Sequence, residues 1–123
     1  MSKRDELDRI YFITNAIETM TKIQPTMSPK GMLTFLTMAA LEIEEGSVTV
    51  KQISKRLNTK SSAAGKLVKS HTLATRIGTP GSQLLLTMED PANRKSTRIK
   101  MTVKGSKALR DIIHPQYLEL KNG

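Results

Sequence analysis

Lys51, Lys60, Lys66 and Lys69 fall in a stretch, 48–72, that contains no acid. Between Lys60 and Lys66 the chain reads Ser61, Ser62, Ala63, Ala64 and Gly65, all small. This combination suits a polyanion. Ammonium groups neutralise phosphates, while small or hydroxyl-bearing residues let a helix backbone approach a groove and reach base edges. A second basic set, Arg94, Lys95, Arg98 and Lys100, follows within "EDPANRKSTRIKMTV". Catalytic chemistry finds no such support. His71 and His114 are far apart, cysteine is absent, and no HExxH spacing occurs, so each histidine reads as structural or surface rather than as a metal ligand. "AAGKL" pairs Gly with Lys but lacks the earlier glycine and the following Ser/Thr of a phosphate loop. No serine sits in a nucleophile elbow. The chain is expected not to be an enzyme and to need no cofactor.

The charge distribution sharpens this. Residues 1–47 hold five Lys/Arg against seven Asp/Glu, whereas 48–123 hold fifteen against four. No acid lies between Glu45 and Glu89. A front that packs and a back that faces a polyanion are therefore expected. The 123 residues suit one domain. With two Phe, two Tyr and no Trp, its core must be aliphatic, with the seven Met as flexible filler. No apolar run approaches a membrane span, and "MSKRDELDRI" lacks a signal-peptide core, so a soluble, cytoplasmic protein without membrane contact is expected.

The elements that position the basic residues are legible in outline. Leu7, Ile10, Ile13, Ile17, Met20 and Ile23 recur at spacings of three and four, predicting a helix with one apolar stripe. "SPKGMLTFLTMAALEIEEG" predicts a second, central helix, capped by Ser28, opened by Pro29 and stopped by Gly46. Its buried face is expected to comprise Met32, Phe35, Leu36, Ala39, Ala40 and Ile43, widened by Leu33, Met38 and Leu41. Thr49 and Gln52 have capping-box spacing at the start of a third helix that buries Val50, Ile53 and Leu57. Asn58 ends it. A fourth helix, opened by Thr59 or Ser61, buries Ala64, Leu67 and Val68 and turns Ser61, Ser62, Gly65, Lys66 and Lys69 outward. "ATRIGTPGS" is connector. "QLLLTM" and "TRIKMTV" predict strands flanking a long tip, "EDPANRKS". Ile99, Met101 and Val103 point inward, and Arg98, Lys100 and Thr102 outward. "SKALRDII" predicts a last short helix, ended by Pro115.

This order is a winged-helix plan: mainly α with a small β-hairpin (α+β), a winged helix-turn-helix with added N-terminal and C-terminal helices. One domain over 1–123 is expected, with a packing and dimerisation helix in 1–27, the winged helix-turn-helix in 28–112 and a tail in 113–123. The expected function is a sequence-specific regulator of transcription that binds double-stranded DNA. Residues 59–72 would enter the major groove, with Ser61, Ser62 and Lys66 on base edges and Lys51, Lys60 and Lys69 on phosphates. Gly65 would allow close approach to DNA or to another helix. Arg94 and Lys95 at the wing tip, extended by Arg98 and Lys100, would reach the minor groove or backbone. Two alternatives stay open. A winged helix can serve as a protein–protein adaptor for an acidic partner. An RNA or single-strand binder is disfavoured by the scarcity of aromatic stacking groups.

"VTVKQISKRLNTKSSAAGKLVKS" resembles the helix-turn-helix of MarR-type winged-helix regulators. "DPANRKSTRIKMTVKG" is similar to that family's wing, whose pattern is Asp-Pro-x-Asp-Arg-Arg, an alternating strand, then Leu-Thr-x-x-Gly. Here Asp90, Pro91, Asn93, Arg94 and Lys95 are followed by Met101, Thr102 and Gly105. Asn93 and Lys95 stand where the family has an acid and a second arginine. The resemblance covers about 28–112 and implies a homodimer built by the terminal helices. It also leaves room for a small-molecule effector, which nothing in this sequence names.

Overall fold

The computed structural model describes residues 2–72, 81–90 and 92–114. These residues form five helices and a three-stranded antiparallel sheet: α1 (Lys3–Ile23), α2 (Pro29–Glu45), β1 (Val48–Thr49), α3 (Val50–Arg56), α4 (Ser61–Lys69), β2 (Leu85–Asp90), β3 (Asn93–Met101) and α5 (Val103–Ile113). The strand order is β1-β3-β2. Among the described residues no helix is long and apolar enough to cross a membrane.

Local chemistry sets most boundaries. Ser28 Oγ accepts from Gly31 N at 3.0 Å, Pro29 occupies the first turn, and Gly46 closes α2 at φ 81°, a left-handed conformation that suits glycine. Thr49 and Gln52 form a reciprocal capping box, with Gln52 N donating to Thr49 Oγ1 at 3.2 Å and Thr49 N to Gln52 Oε1 at 2.7 Å. Ser2 and Asp5 do the same for α1. Asn58 adopts φ 51° and turns the chain between α3 and α4.

The core is aliphatic and methionine-rich, as the composition requires. Phe35, Met20, Met38, Ile53, Leu84 and Leu85 are its largest fully buried side chains. Ile99 pairs with Val48 on one side and Thr87 on the other, and is buried, while Lys100 is exposed and Arg98 half-buried. The alternation along β3 thus holds through Ile99, with Met101 half-buried.

Several sequence expectations need correction. Val103 is not a core strand residue. The chain leaves β3 at Met101, Thr102 caps α5 by accepting from Gly105 N at 3.0 Å, and Val103 falls in the first helical turn, 89% exposed. α5 therefore begins before Gly105, not after it. Leu33 and Ile43 are also exposed, because α3, α4 and β1 cover one side of α2 while α1 packs on α5. Neither Thr59 nor Ser61 caps α4; Lys60 holds the N-cap position without a side-chain cap bond. Nor is "EDPANRKS" a long tip. β2 runs to Asp90, which pairs with Asn93. The preceding pair is Glu89 with Thr97, so Arg94, Lys95 and Ser96 form a bulge on β3. The two-residue strand β1 adds a third strand to the expected hairpin. The greater part of the connector (74–80) and the 115–123 part of the tail, including Pro115, lie outside the described residues.

A close approach fixes how the wing joins α5. A Cβ on Gly105 would overlap the Leu84 carbonyl oxygen, which also accepts from Thr102 N at 3.0 Å. Gly105→Ala is therefore expected to destabilise the protein by about 3 kcal/mol, read as a lowered urea midpoint at unchanged slope.

Candidate nucleic-acid interface

α4 is positioned by its buried face. Ala64 and Val68 are fully buried, α2 and α3 pack against the helix, and Thr59 N donates to Ser54 O at 3.0 Å across the turn. Ser61, Ser62, Lys66 and Lys69 are exposed, and Leu67 is half-buried. Lys51 on α3 and Lys60 at the turn are exposed too. A Cβ on Gly65 would meet nothing within 4 Å, so no other helix among the described residues explains that glycine. It loosens α4 by about 1 kcal/mol relative to alanine and leaves its outer surface flat.

The start of α4 carries a second signal. Its first-turn N–H groups have no side-chain cap, and a lysine stands at the N-cap, where the helix dipole disfavours a cation. Such an end offers backbone donors and an ammonium to an incoming anion. Lys60→Ser is expected to raise stability by about 1 kcal/mol through restored capping while weakening binding to a polyanion. Thermal melts and anisotropy on the same preparation check both signs.

Arg56, in the last turn of α3, is not free for such contacts: its Nη2 lies 2.8 Å from Glu44 Oε2. The pair gives one acid at the end of α2 a partner. Glu44 faces the cation of α3 at solvent-exposed positions, where water and salt screen the bond.

The wing supplies the second basic surface. Arg98 is half-buried and Lys100 exposed on β3. Arg94 and Lys95 lie on the β3 bulge, and their side chains fall outside what the structure describes. The backbone thus brings the wing residues onto one hairpin, apart from α4 in sequence but joined to it through one buried cluster.

That cluster is centred on His71, a residue whose importance spacing alone hides. His71 is fully buried just past α4. Its Nε2 lies 2.7 Å from Gly31 O and its Nδ1 2.7 Å from Ser82 Oγ. A carbonyl only accepts, so Nε2 carries the proton and Nδ1 accepts from the Ser82 hydroxyl. Ser82 Oγ in turn accepts from Leu84 N at 3.4 Å. Ser82 N donates to Ser70 O at 3.1 Å, and Leu85 N to His71 O at 2.9 Å. Burial pushes the imidazole below its usual 6.5, partly offset by the Gly31 carbonyl, and so favours the neutral ring. One side chain thereby locks the end of α4 to the start of α2 and to the root of the wing.

Solved structures share the overall fold. A MepR variant of S. aureus bound to an oligodeoxyribonucleotide superposes with TM-score 0.65 at 14% identity, covering 99% of this chain and 81% of that one. A MarR-like transcriptional regulator of Thermotoga maritima gives 0.60 at 19% identity, covering 99% and 80%. A MarR family protein of Bacillus stearothermophilus gives 0.54 at 21% identity, covering 99% and 81%. The fold is that of the MarR-type regulators. Comparison with protein-family models and with curated proteins finds no match. The MarR-type match extends over α1 as well as the winged helix-turn-helix, since nearly the whole chain is covered.

Proposed function

We propose that this chain is a sequence-specific, double-stranded DNA-binding regulator of transcription that acts as a homodimer. The observation that carries this reading is the outer face of α4. Ser61, Ser62, Lys66 and Lys69 share the exposed side opposite buried Ala64 and Val68, at an uncapped helix start in an acid-free region. A neighbour of the same fold, MepR, has been solved on an oligodeoxyribonucleotide. On this reading α4 enters the major groove, with Ser61, Ser62 and Lys66 at base edges. Lys51, Lys60 and Lys69 hold phosphates. Arg94, Lys95 and Arg98 bring the wing to the flanking backbone or minor groove. Transcription is then controlled by occupancy of a promoter.

Fluorescence anisotropy on duplex DNA against salt tests the reading. Affinity is expected to fall by about a thousandfold between about 50 and 200 mM salt, as for a protein with several phosphate contacts. A flat response would instead favour an acidic protein partner for the same face.

The dimer rests on α1. Leu7, Ile10, Ile13 and Ile17 are all about half exposed or more, an apolar stripe at helical spacing with no cover among the described residues. Asn15 Nδ2 donates to Asp111 O at 3.1 Å and ties this helix to α5. A second copy covering the stripe would set two α4 helices on successive major-groove turns, about 34 Å apart. Ile13→Asp is expected to convert a dimer to a monomer in sedimentation equilibrium and to lower duplex affinity with it.

A further inference from the structure

A cavity of about 330 Å³ lies at the root of the wing, lined by Glu42, Ser47, Arg98, Lys100, Met101 and Ser106 among others. It sits where the sheet is incomplete. β1 pairs only with Arg98 and Ile99, so β3 runs on through Lys100 and Met101 with no strand on that side among the described residues. Glu42, four residues before the Gly46 cap, reaches this gap from α2. Its Oε2 is buried and has no hydrogen-bond partner among the described residues. The half-buried Arg98 side chain likewise has no ion pair or hydrogen bond among the described residues, and Lys100 stands beside it on the strand. Opposite charges thus line one cavity without meeting each other.

A buried carboxylate oxygen without a partner is costly, and the nearest remedy, an Arg98–Glu42 ion pair, is not formed. The arrangement matches a ligand that carries both charges. We propose that this cavity binds a small zwitterion of amino-acid size. Its ammonium donates to Glu42 Oε2, and its carboxylate accepts from the Arg98 guanidinium, with Lys100 adding positive potential. The Ser47 and Ser106 hydroxyls supply further hydrogen bonds, and Met101 gives an apolar wall. The volume lies at the small end of ligand sites, which run from about 300 to 1,000 Å³. Because the cavity joins α2, β3 and the start of α5, a bound zwitterion would brace the wing against the helical body and occupy Arg98. That consequence for DNA affinity rests on the function proposed above; the binding itself does not.

Isothermal titration calorimetry on the full chain, without DNA, tests the binding. The probes are the common amino acids one at a time, β-alanine and γ-aminobutyrate as a charge-spacing series, and acetate and methylammonium as single-charge controls. At least one zwitterion is expected to bind saturably and more tightly than either control, with affinity lowered about tenfold or more in Glu42→Gln. Absence of zwitterion binding, acetate binding as tightly as any zwitterion, or unchanged affinity in Glu42→Gln would overturn the proposal. A stability measurement separates ligand recognition from a structural role. Glu42→Met is expected to raise the urea midpoint of the free protein by removing an unpartnered buried oxygen; a lowered midpoint would also overturn it. Since no DNA is present, failure here leaves the DNA-binding reading standing, and loss of duplex binding leaves the cavity reading standing.

Discussion

Replacing Lys66 and Lys69 together by alanine is expected to weaken duplex binding about a hundredfold at low salt and to leave the fold intact. Both side chains are exposed on α4 and neither belongs to its buried face, so truncation removes no core contact. A charged hydrogen bond to a phosphate or base edge contributes about 1.5 kcal/mol or more, close to one decade in affinity for each lysine. The salt dependence adds a second readout. If both lysines neutralise phosphates, the slope of log affinity against log salt falls by about 2. If Lys66 reads a base edge instead, the slope falls by about 1 and discrimination between sequences is relaxed at one position. Parallel titrations of wild type and variant on a fixed duplex separate these cases. Unchanged affinity would remove α4 from the interface.

His71→Ala is expected to destabilise the protein by about 4 kcal/mol. The substitution leaves the Gly31 carbonyl and the Ser82 hydroxyl without their partner in a buried site, at about 1–3 kcal/mol each, and opens a cavity against Phe35, whose ring lies 6.0 Å from the imidazole. A pH dependence follows from the same burial. The ring's folded value is lowered from the ordinary 6.5, so below about that pH the unfolded chain takes up a proton that the folded protein resists. Proton uptake by the unfolded state lowers stability as pH falls. His71 therefore contributes fully above pH 6.5, and its contribution is lost as pH falls from there toward and through the lowered folded value. Urea midpoints of wild type across that window are expected to decline more steeply than those of His71→Gln, which has no imidazole to protonate.

The same two sites mark how far sequence reasoning reaches. The lysines of α4 are legible because a helix period separates Ala64 and Val68 from Ser61, Ser62, Lys66 and Lys69. That separation needs only residue types and spacing. The ends of α2 and the start of α3 are legible for an equally local reason: Ser28, Gly46 and the Thr49–Gln52 box act on backbone within a few residues. His71 is not legible in this way. Its partners lie 40 residues before it and 11 after it, and no local pattern joins them. β1 is too short for a period of two to register.

Other differences come from competing signals. Alternation along "TRIKMTV" points Val103 inward, but Thr102 caps a helix and the period changes there. The apolar width of α2 promises burial at Leu33 and Ile43, yet burial depends on which neighbours arrive, and α1 goes to α5 instead. The stripe on α1 itself was visible as a pattern. Its exposure in the single chain was not, since a pattern does not say whether the covering surface is in the same molecule. At the wing, residue types identify a basic hairpin, but the bulge that carries Arg94 and Lys95 depends on pairing register, which sequence leaves open.

Whether α4 and the wing read a defined sequence is decided by fragment selection with the purified protein, from sheared genomic DNA and read by sequencing. A homodimeric regulator is expected to enrich one shared, near-palindromic site, with half-sites about one helical turn apart and protected together in footprints. Uniform recovery of fragments, with no shared sequence, would contradict it.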